Sequence, residues 1–181
     1  MFFMASYVAL WLVVLVHTMI MIGMFREHVA LMERVGHGGK RLHGPTEGWR
    51  VPPIVGLVLQ AGAPRTQHEA GTIVVFMSVG CQPCWGRREA ISEFAKESAG
   101  AVRTIVVCAG QQSEVRRFAE TLDRRVRIIG DVNGATTNDW RISMTPVAVA
   151  VDEASRASGT INNPSYVDLT ALAARLREFQ G

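Results

Sequence analysis

Cys81-Gln82-Pro83-Cys84 contains two of the three cysteines in this 181-residue chain. Two thiols at C-x-x-C spacing can close into a disulfide and reopen with little backbone motion, so the tetrapeptide points to thiol–disulfide chemistry. An apolar run, Thr72 to Met77, reads as a buried strand leading into it, and Trp85 to Ser98 reads as the helix leading out. A cysteine at a helix start faces unpaired N–H groups and about half a positive charge. Such thiols fall from about 8.5 toward 7 or lower. Cys81 is therefore the expected attacking nucleophile. Cys84, one turn further in, is the expected resolving thiol, which displaces whatever Cys81 has captured. Pro83 removes a backbone donor and stiffens the first turn. The competing reading, half of a zinc site, needs a second ligand pair. The sequence offers none at suitable spacing, so neither metal nor cofactor is expected.

Thr145-Pro146 is the second signal. A strand ending in C-x-x-C at a helix start resembles the thioredoxin arrangement, and such folds place a cis proline beside the disulfide, just before a strand. Here Val147 to Val151 is that strand. Cis peptides are nearly confined to X-Pro bonds. The resemblance implies that the Thr145 and Pro146 backbone lies next to Cys81 and pairs with a substrate strand. Gln82 and Pro83 complete the candidate substrate-binding set. Cys108 ends a second buried strand and reads as an inert core thiol. Arg87 and Arg88 read as a solvated helix face. Trp85 reads equally as an apolar rim or as packing against the domain.

The elements that must position these residues alternate between strand and helix. Ile54–Leu59 reads as an edge strand, Thr72–Ser78 as the central strand, and Pro83–Ser98 as a helix with Ala90, Ile91 and Phe94 inward. Val102–Cys108 is a strand, and a helix capped by Ser113 runs to about Leu122. Val126–Ile129 is a short strand. Val147–Val151 and Ala157–Ile161 form a hairpin, and Ser165–Phe179 is a closing helix with Val167, Leu169, Leu172 and Leu176 on its apolar face. The expected fold class is α/β: a thioredoxin-like mixed sheet flanked by helices.

Hydrophobic residues make up 48% of the chain and the net charge is +3, with basic residues scattered, so no nucleic-acid surface is expected. Much of the apolar excess lies at the N-terminus. Phe2 to Phe25 carries no Asp, Glu, Lys or Arg. As a helix it would span about 36 Å, enough for a bilayer core, and it lacks the basic start and cleavage site of a secretory signal. The expected organisation is a single transmembrane helix over 1–25, a juxtamembrane helix and linker over 26–50, and a thioredoxin-like domain over 51–181. His17, inside the span, reads as a neutral imidazole. Val29, Met32 and Val35 mark the juxtamembrane helix, and His28, His37 and His43 read as solvated linker residues. Arg26, Arg34, Lys40 and Arg41 follow the span, and their charge alone would place the domain in the cytoplasm.

Three stretches resemble membrane-anchored bacterial thioredoxin-like proteins of the TlpA and ResA type, related to the AhpC/TSA superfamily, and more closely the MauD family of methylamine dehydrogenase accessory proteins. They are Leu10–Leu15 through Val29–Val35, Val74–Ser78 leading into Cys81–Cys84, and Thr145–Asp152 followed by Gly159–Asn163. The resemblance implies a single-pass cell-membrane protein with its catalytic domain on the extracytoplasmic side. Long C-terminal domains cross despite flanking charge. It implies formation, reduction or isomerisation of disulfides in an exported client such as the methylamine dehydrogenase small subunit, with a thiol–disulfide electron donor or acceptor as second partner. Gln82 stands where that family more often has proline. Val75 stands where cytosolic thioredoxins keep a buried acid, and Gly80 replaces their tryptophan. These differences argue against a general cytosolic reductase. The alternatives are a thiol reductant for cytochrome c maturation and a non-catalytic assembly chaperone. A peroxidase would need Pro and Thr upstream of its cysteine, and Met77-Ser78-Val79-Gly80 supplies neither.

Overall fold

The computed structural model describes Met4, Tyr7 and residues 11–23, 44–63 and 71–178, and its contacts divide the chain into two units, Met1–Arg41 and Leu42–Gly181. In the first unit, residues 11–23 form helix α1, exposed along its whole length, with His17 in it. The Thr18 hydroxyl donates back to the Val14 carbonyl at 2.8 Å, so its one polar group is satisfied within the helix. Among the described residues, no helix is long and apolar enough to cross a membrane. The juxtamembrane helix with Val29, Met32 and Val35 lies outside the described residues, as do His28, His37 and His43.

The second unit is built on a six-stranded sheet. Its strands are β1 (Leu57–Gln60), β2 (Thr72–Ser78), β3 (Arg103–Ala109), β4 (Arg127–Asp131), β5 (Val147–Val151) and β6 (Ala157–Asn162). The spatial order is β1-β4-β3-β2-β5-β6. β2, β3 and β4 run parallel, while β1, β5 and β6 pair antiparallel. The helices are α2 (Gln82–Gly86), α3 (Arg88–Glu97), α4 (Gln112–Ala119), α5 (Ala135–Asp139) and α6 (Tyr166–Glu178).

Strand periodicity sorts the core into two layers. Ile73, Val75 and Met77 face one side with Ile91, Phe94, Val115, Phe118, Leu169 and Leu172. Val74 and Phe76 face the other with Ile105, Ile129, Trp140, Val147 and Val149. The steps β2 to β3 and β3 to β4 go the same way across the sheet. Their crossover helices, α3 and α4, therefore share a face, and α6 joins them there. The opposite face has thinner cover. Trp140 packs on Phe76 with ring centroids 5.1 Å apart, and its Nε1 donates to the Pro52 carbonyl at 3.1 Å. Thr136, fully buried in α5, bonds both backbone groups of Val55: its hydroxyl donates to the carbonyl at 2.6 Å and accepts from the N–H at 2.9 Å.

The thioredoxin-like arrangement read from the sequence is the one observed. Several details differ. The helix expected over Pro83–Ser98 is two helices joined at Arg87, and Ala90 is only half-buried. Ser113 does not cap α4; Gln111 holds the N-cap position, without a side-chain bond. Val167 is 72% exposed and points away from the core that holds Leu169, Leu172 and Leu176. The edge strand begins at Leu57 rather than Ile54. Residues 44–50, placed by sequence in the stretch before the domain, run beside β6: Gly48 N–H donates to Ala157 O at 2.7 Å, and the Thr160 hydroxyl to Pro45 O at 2.8 Å.

Candidate active site

The site lies where β2 ends. Residues 78–81 turn tightly, with the Cys81 N–H donating to Ser78 O at 3.1 Å and the Val79 N–H to Ala109 O at 3.1 Å. Val79 leans over Gly110, whose φ is +148° and where a Cβ would collide with the Val79 side chain. Only glycine fits at that close approach. Cys81 is the N-cap of α2, with extended backbone (φ −95°, ψ 107°), and its carbonyl accepts from the Cys84 N–H at 3.0 Å. This geometry leaves Cys81 half-exposed and turns Cys84 inward, where it is fully buried in the core layer with Met77 and Cys108.

The antiparallel β2–β5 register, which pairs Phe76 with Val147, carries the residues before β5 back to the same end of the sheet. The Thr145–Pro146 peptide is cis. The Thr145 carbonyl oxygen lies 3.3 Å from Cys81 Sγ and accepts its thiol proton. The four sequence candidates Cys81, Cys84, Thr145 and Pro146 are thus brought together by the meeting of β2, α2 and β5. Gln82 and Pro83 are exposed on the first turn beside them.

The two motif sulfurs have opposite electrostatics. Partial burial alone would raise Cys81. Hydrogen bonds from the Cys84 thiol, the Thr145 hydroxyl and the Cys84 N–H outweigh it and hold Cys81 below the ordinary thiol value. Burial pushes Cys84 up to about 11, and its bond to Cys81 adds to the rise. The helix-dipole contribution expected from sequence has a short carrier here, since α2 spans only five residues. Local donors at Cys84 and Thr145 favour the thiolate. Cys108, opposite Met77 in the β2–β3 register, is buried, and desolvation pushes it up to about 12.

Three neighbours take defined partners, and for Trp85 the structure selects one of the two readings offered by the sequence. Trp85 packs against the domain: its ring meets Phe118 edge-on at 4.8 Å, and its Nε1 donates to Val79 O at 2.8 Å. Arg88 is not a free surface side chain. Its guanidinium lies 4.8 Å above the Trp85 ring, and its Nε donates to Trp85 O at 2.7 Å. Arg87 donates from Nε to Asn163 Oδ1 at 2.9 Å. The residue types alone carried no signal for the Arg87 pairing, because Asn163 is 76 positions downstream.

A groove of about 600 Å³ adjoins the site between α3 and the end of α4, lined by Trp85, Arg88, Ser92, Lys96 and Asp123. A second, of about 540 Å³, opens at the start of β2 over Trp140 and shares no residue with the cysteine pair. Among the described residues, no cluster of three or more His, Cys, Asp or Glu is placed to hold a metal ion.

No protein-family model and no curated protein matches this chain. Solved structures do. A thiol:disulfide interchange protein DsbE from Chlorobium tepidum aligns at 13% identity over 75% of this chain and 99% of its own, with a TM-score of 0.58. StoA from Bacillus subtilis aligns at 18% identity over 66% of this chain and 98% of its own, TM-score 0.51. A secreted disulfide oxidoreductase of Mycobacterium tuberculosis aligns at 16% identity over 61% and 84%, TM-score 0.50. At these identities the likeness establishes the fold, which is that of thioredoxin-like proteins.

Proposed function

We propose that this protein is a thiol–disulfide oxidoreductase working through Cys81 and Cys84. One observation carries the reading: the half-exposed Cys81 sulfur stands at the start of α2, 3.3 Å from the Thr145 carbonyl of the cis Thr145–Pro146 pair, with the buried Cys84 one turn further in. The activity named for the solved neighbours agrees with it.

The Cys81 thiolate attacks one sulfur of a client disulfide. A Cys81–client bond forms, the client S–S bond breaks, and one client thiolate leaves. Cys84 then loses its proton and attacks the Cys81 sulfur, releasing the second client thiolate. The client gains two electrons and Cys81–Cys84 becomes a disulfide; the reverse sequence oxidises a dithiol client. Cys84, near 11, needs a base at neutral pH. Val75, in the same core layer, offers no acceptor. The client thiolate released in the first step is the natural one. The Thr145–Pro146 backbone with Gln82 and Pro83 forms the client-binding lip.

The location is part of the proposal. The uncharged Phe2–Phe25 stretch, helical over 11–23 with its apolar side chains outward, supports a single-pass membrane anchor, followed by the juxtamembrane stretch to residue 50 and the catalytic domain. The secreted neighbour supports an extracytoplasmic domain. The MauD-like stretches make the methylamine dehydrogenase small subunit the first client to test. A Cys84→Ser variant expressed in full-length form would accumulate the Cys81–client mixed disulfide, identifiable by mass spectrometry. A Cys81→Ser, Cys84→Ser double variant that matures the client fully would refute the redox reading in favour of a chaperone. Recovery of cytoplasmic proteins only would refute the outer placement.

A further inference from the structure

Arg87 and Asn163 belong neither to the cysteine motif nor to the Thr-Pro pair, yet they join the two. Arg87 stands at the α2–α3 junction, and its N–H donates to Cys84 O at 3.2 Å. Its Nε reaches across to Asn163 Oδ1 at 2.9 Å. Asn163 follows β6 with φ of +49°, a left-handed conformation that Asn adopts more readily than most residues. Its N–H donates to Pro146 O at 2.7 Å. Thr145, directly before Pro146, places its carbonyl 3.3 Å from Cys81 Sγ. The bonds close a circuit: from Cys81 along the helix backbone to Arg87, across to Asn163, back along Pro146 and Thr145 to the sulfur.

The Arg87 partner is a neutral amide oxygen. The nearby Asp168 carboxylate is already engaged by the Ser165 N–H at 2.8 Å and hydroxyl at 2.6 Å. An Arg Nε aimed at one amide oxygen is a directional contact, which a point charge could not replace.

We propose that Arg87 and Asn163 are positioning residues that hold the Thr145–Pro146 loop against Cys81 through hydrogen-bond geometry rather than charge. The proposal rests on the thiol–disulfide reading of the site. Neither residue touches the sulfur. Their effect passes through Thr145, whose carbonyl oxygen lies 3.3 Å from the Cys81 sulfur.

The test is the pH dependence of Cys81 alkylation by iodoacetamide in the reduced full-length protein, read on the Cys81 peptide by mass spectrometry. Arg87→Met, Arg87→Lys and Asn163→Gly are compared with wild type. Asn163→Gly keeps the backbone bend and the bond to Pro146 and deletes only the acceptor for Arg87. Each variant should move the alkylation midpoint away from the wild-type value by about half a pH unit, an approximately threefold change in thiolate below the midpoint. The Arg87→Met, Asn163→Gly double variant should match a single one, because both break the same contact. Melting temperatures identify any variant that acts by unfolding, and the two remaining single variants still decide. Unmoved midpoints, additive shifts, or a wild-type midpoint in Arg87→Lys would overturn the proposal. Failure of the underlying reading shows separately: wild-type Cys81 would then alkylate like a free thiol and form no bridge to Cys84.

Discussion

The two faces of the sheet are covered by different means. One carries three helices, α3, α4 and α6, over a layer that includes Cys84 and Cys108. The other carries α5, Trp140 and the irregular chain before β1, fastened by specific polar bonds from Thr136 and Trp140. The helical face secures its cover by apolar area, and so leaves a dry place for a protonated thiol. The opposite face is buried under less regular structure, fastened by a few directional contacts. A disulfide-exchanging pair needs one wet and one dry sulfur, and Cys84 finds the dry place on the helical side.

Four perturbations would sharpen or break this contrast, from the largest effect down. Trp140→Ala should cost about 3–5 kcal/mol, as for other buried aromatic truncations. Chemical denaturation measures it, and the Cys81 alkylation profile should stay put. A moved profile would mean the faces are not independent. Alkali should act on the helical face instead. Cys84 and Cys108 are pushed up from 9.0 to about 11 and about 12. Their contribution to stability is therefore present in full below about pH 9 and lost as pH rises through those values, because the unfolded chain ionises first. The loss should vanish in a Cys84→Ala, Cys108→Ala variant. Thr136→Val, on the polar-fastened face, should cost about 1–3 kcal/mol by leaving both Val55 backbone groups without their partner. Val167→Ser should change stability by less than about 0.5 kcal/mol, because that side chain faces solvent.

How much of this was legible in sequence follows from how local each feature is. β2 was readable to the residue, since a β-branched run buried on both faces has few alternatives. The β5–β6 hairpin followed from strand pattern, and the meeting of Thr145 with Cys81 from the resemblance to thioredoxin-like folds. α5 left no trace: Ala-Thr-Thr-Asn-Asp has neither helical periodicity nor good helix formers. It forms because buried Asp131 accepts from the N–H groups of Thr136 and Thr137, at 3.3 and 2.8 Å. The Arg87–Asn163 contact was hidden for another reason. It depends on a partner 76 positions away, and single-sequence periodicity sees only neighbours.

The outer strand β1 has a consequence for how the molecule behaves in company. It spans four residues, pairs on one side with β4, and loses register between Val58 and Gln60. Leu57 and Val58 are exposed there, at 44% and 47%. A long flat rim with such side chains would invite a second copy to add on and begin a fibre. This one is short and kinked, so it makes a poor template, and the sheet ends with the chain that built it.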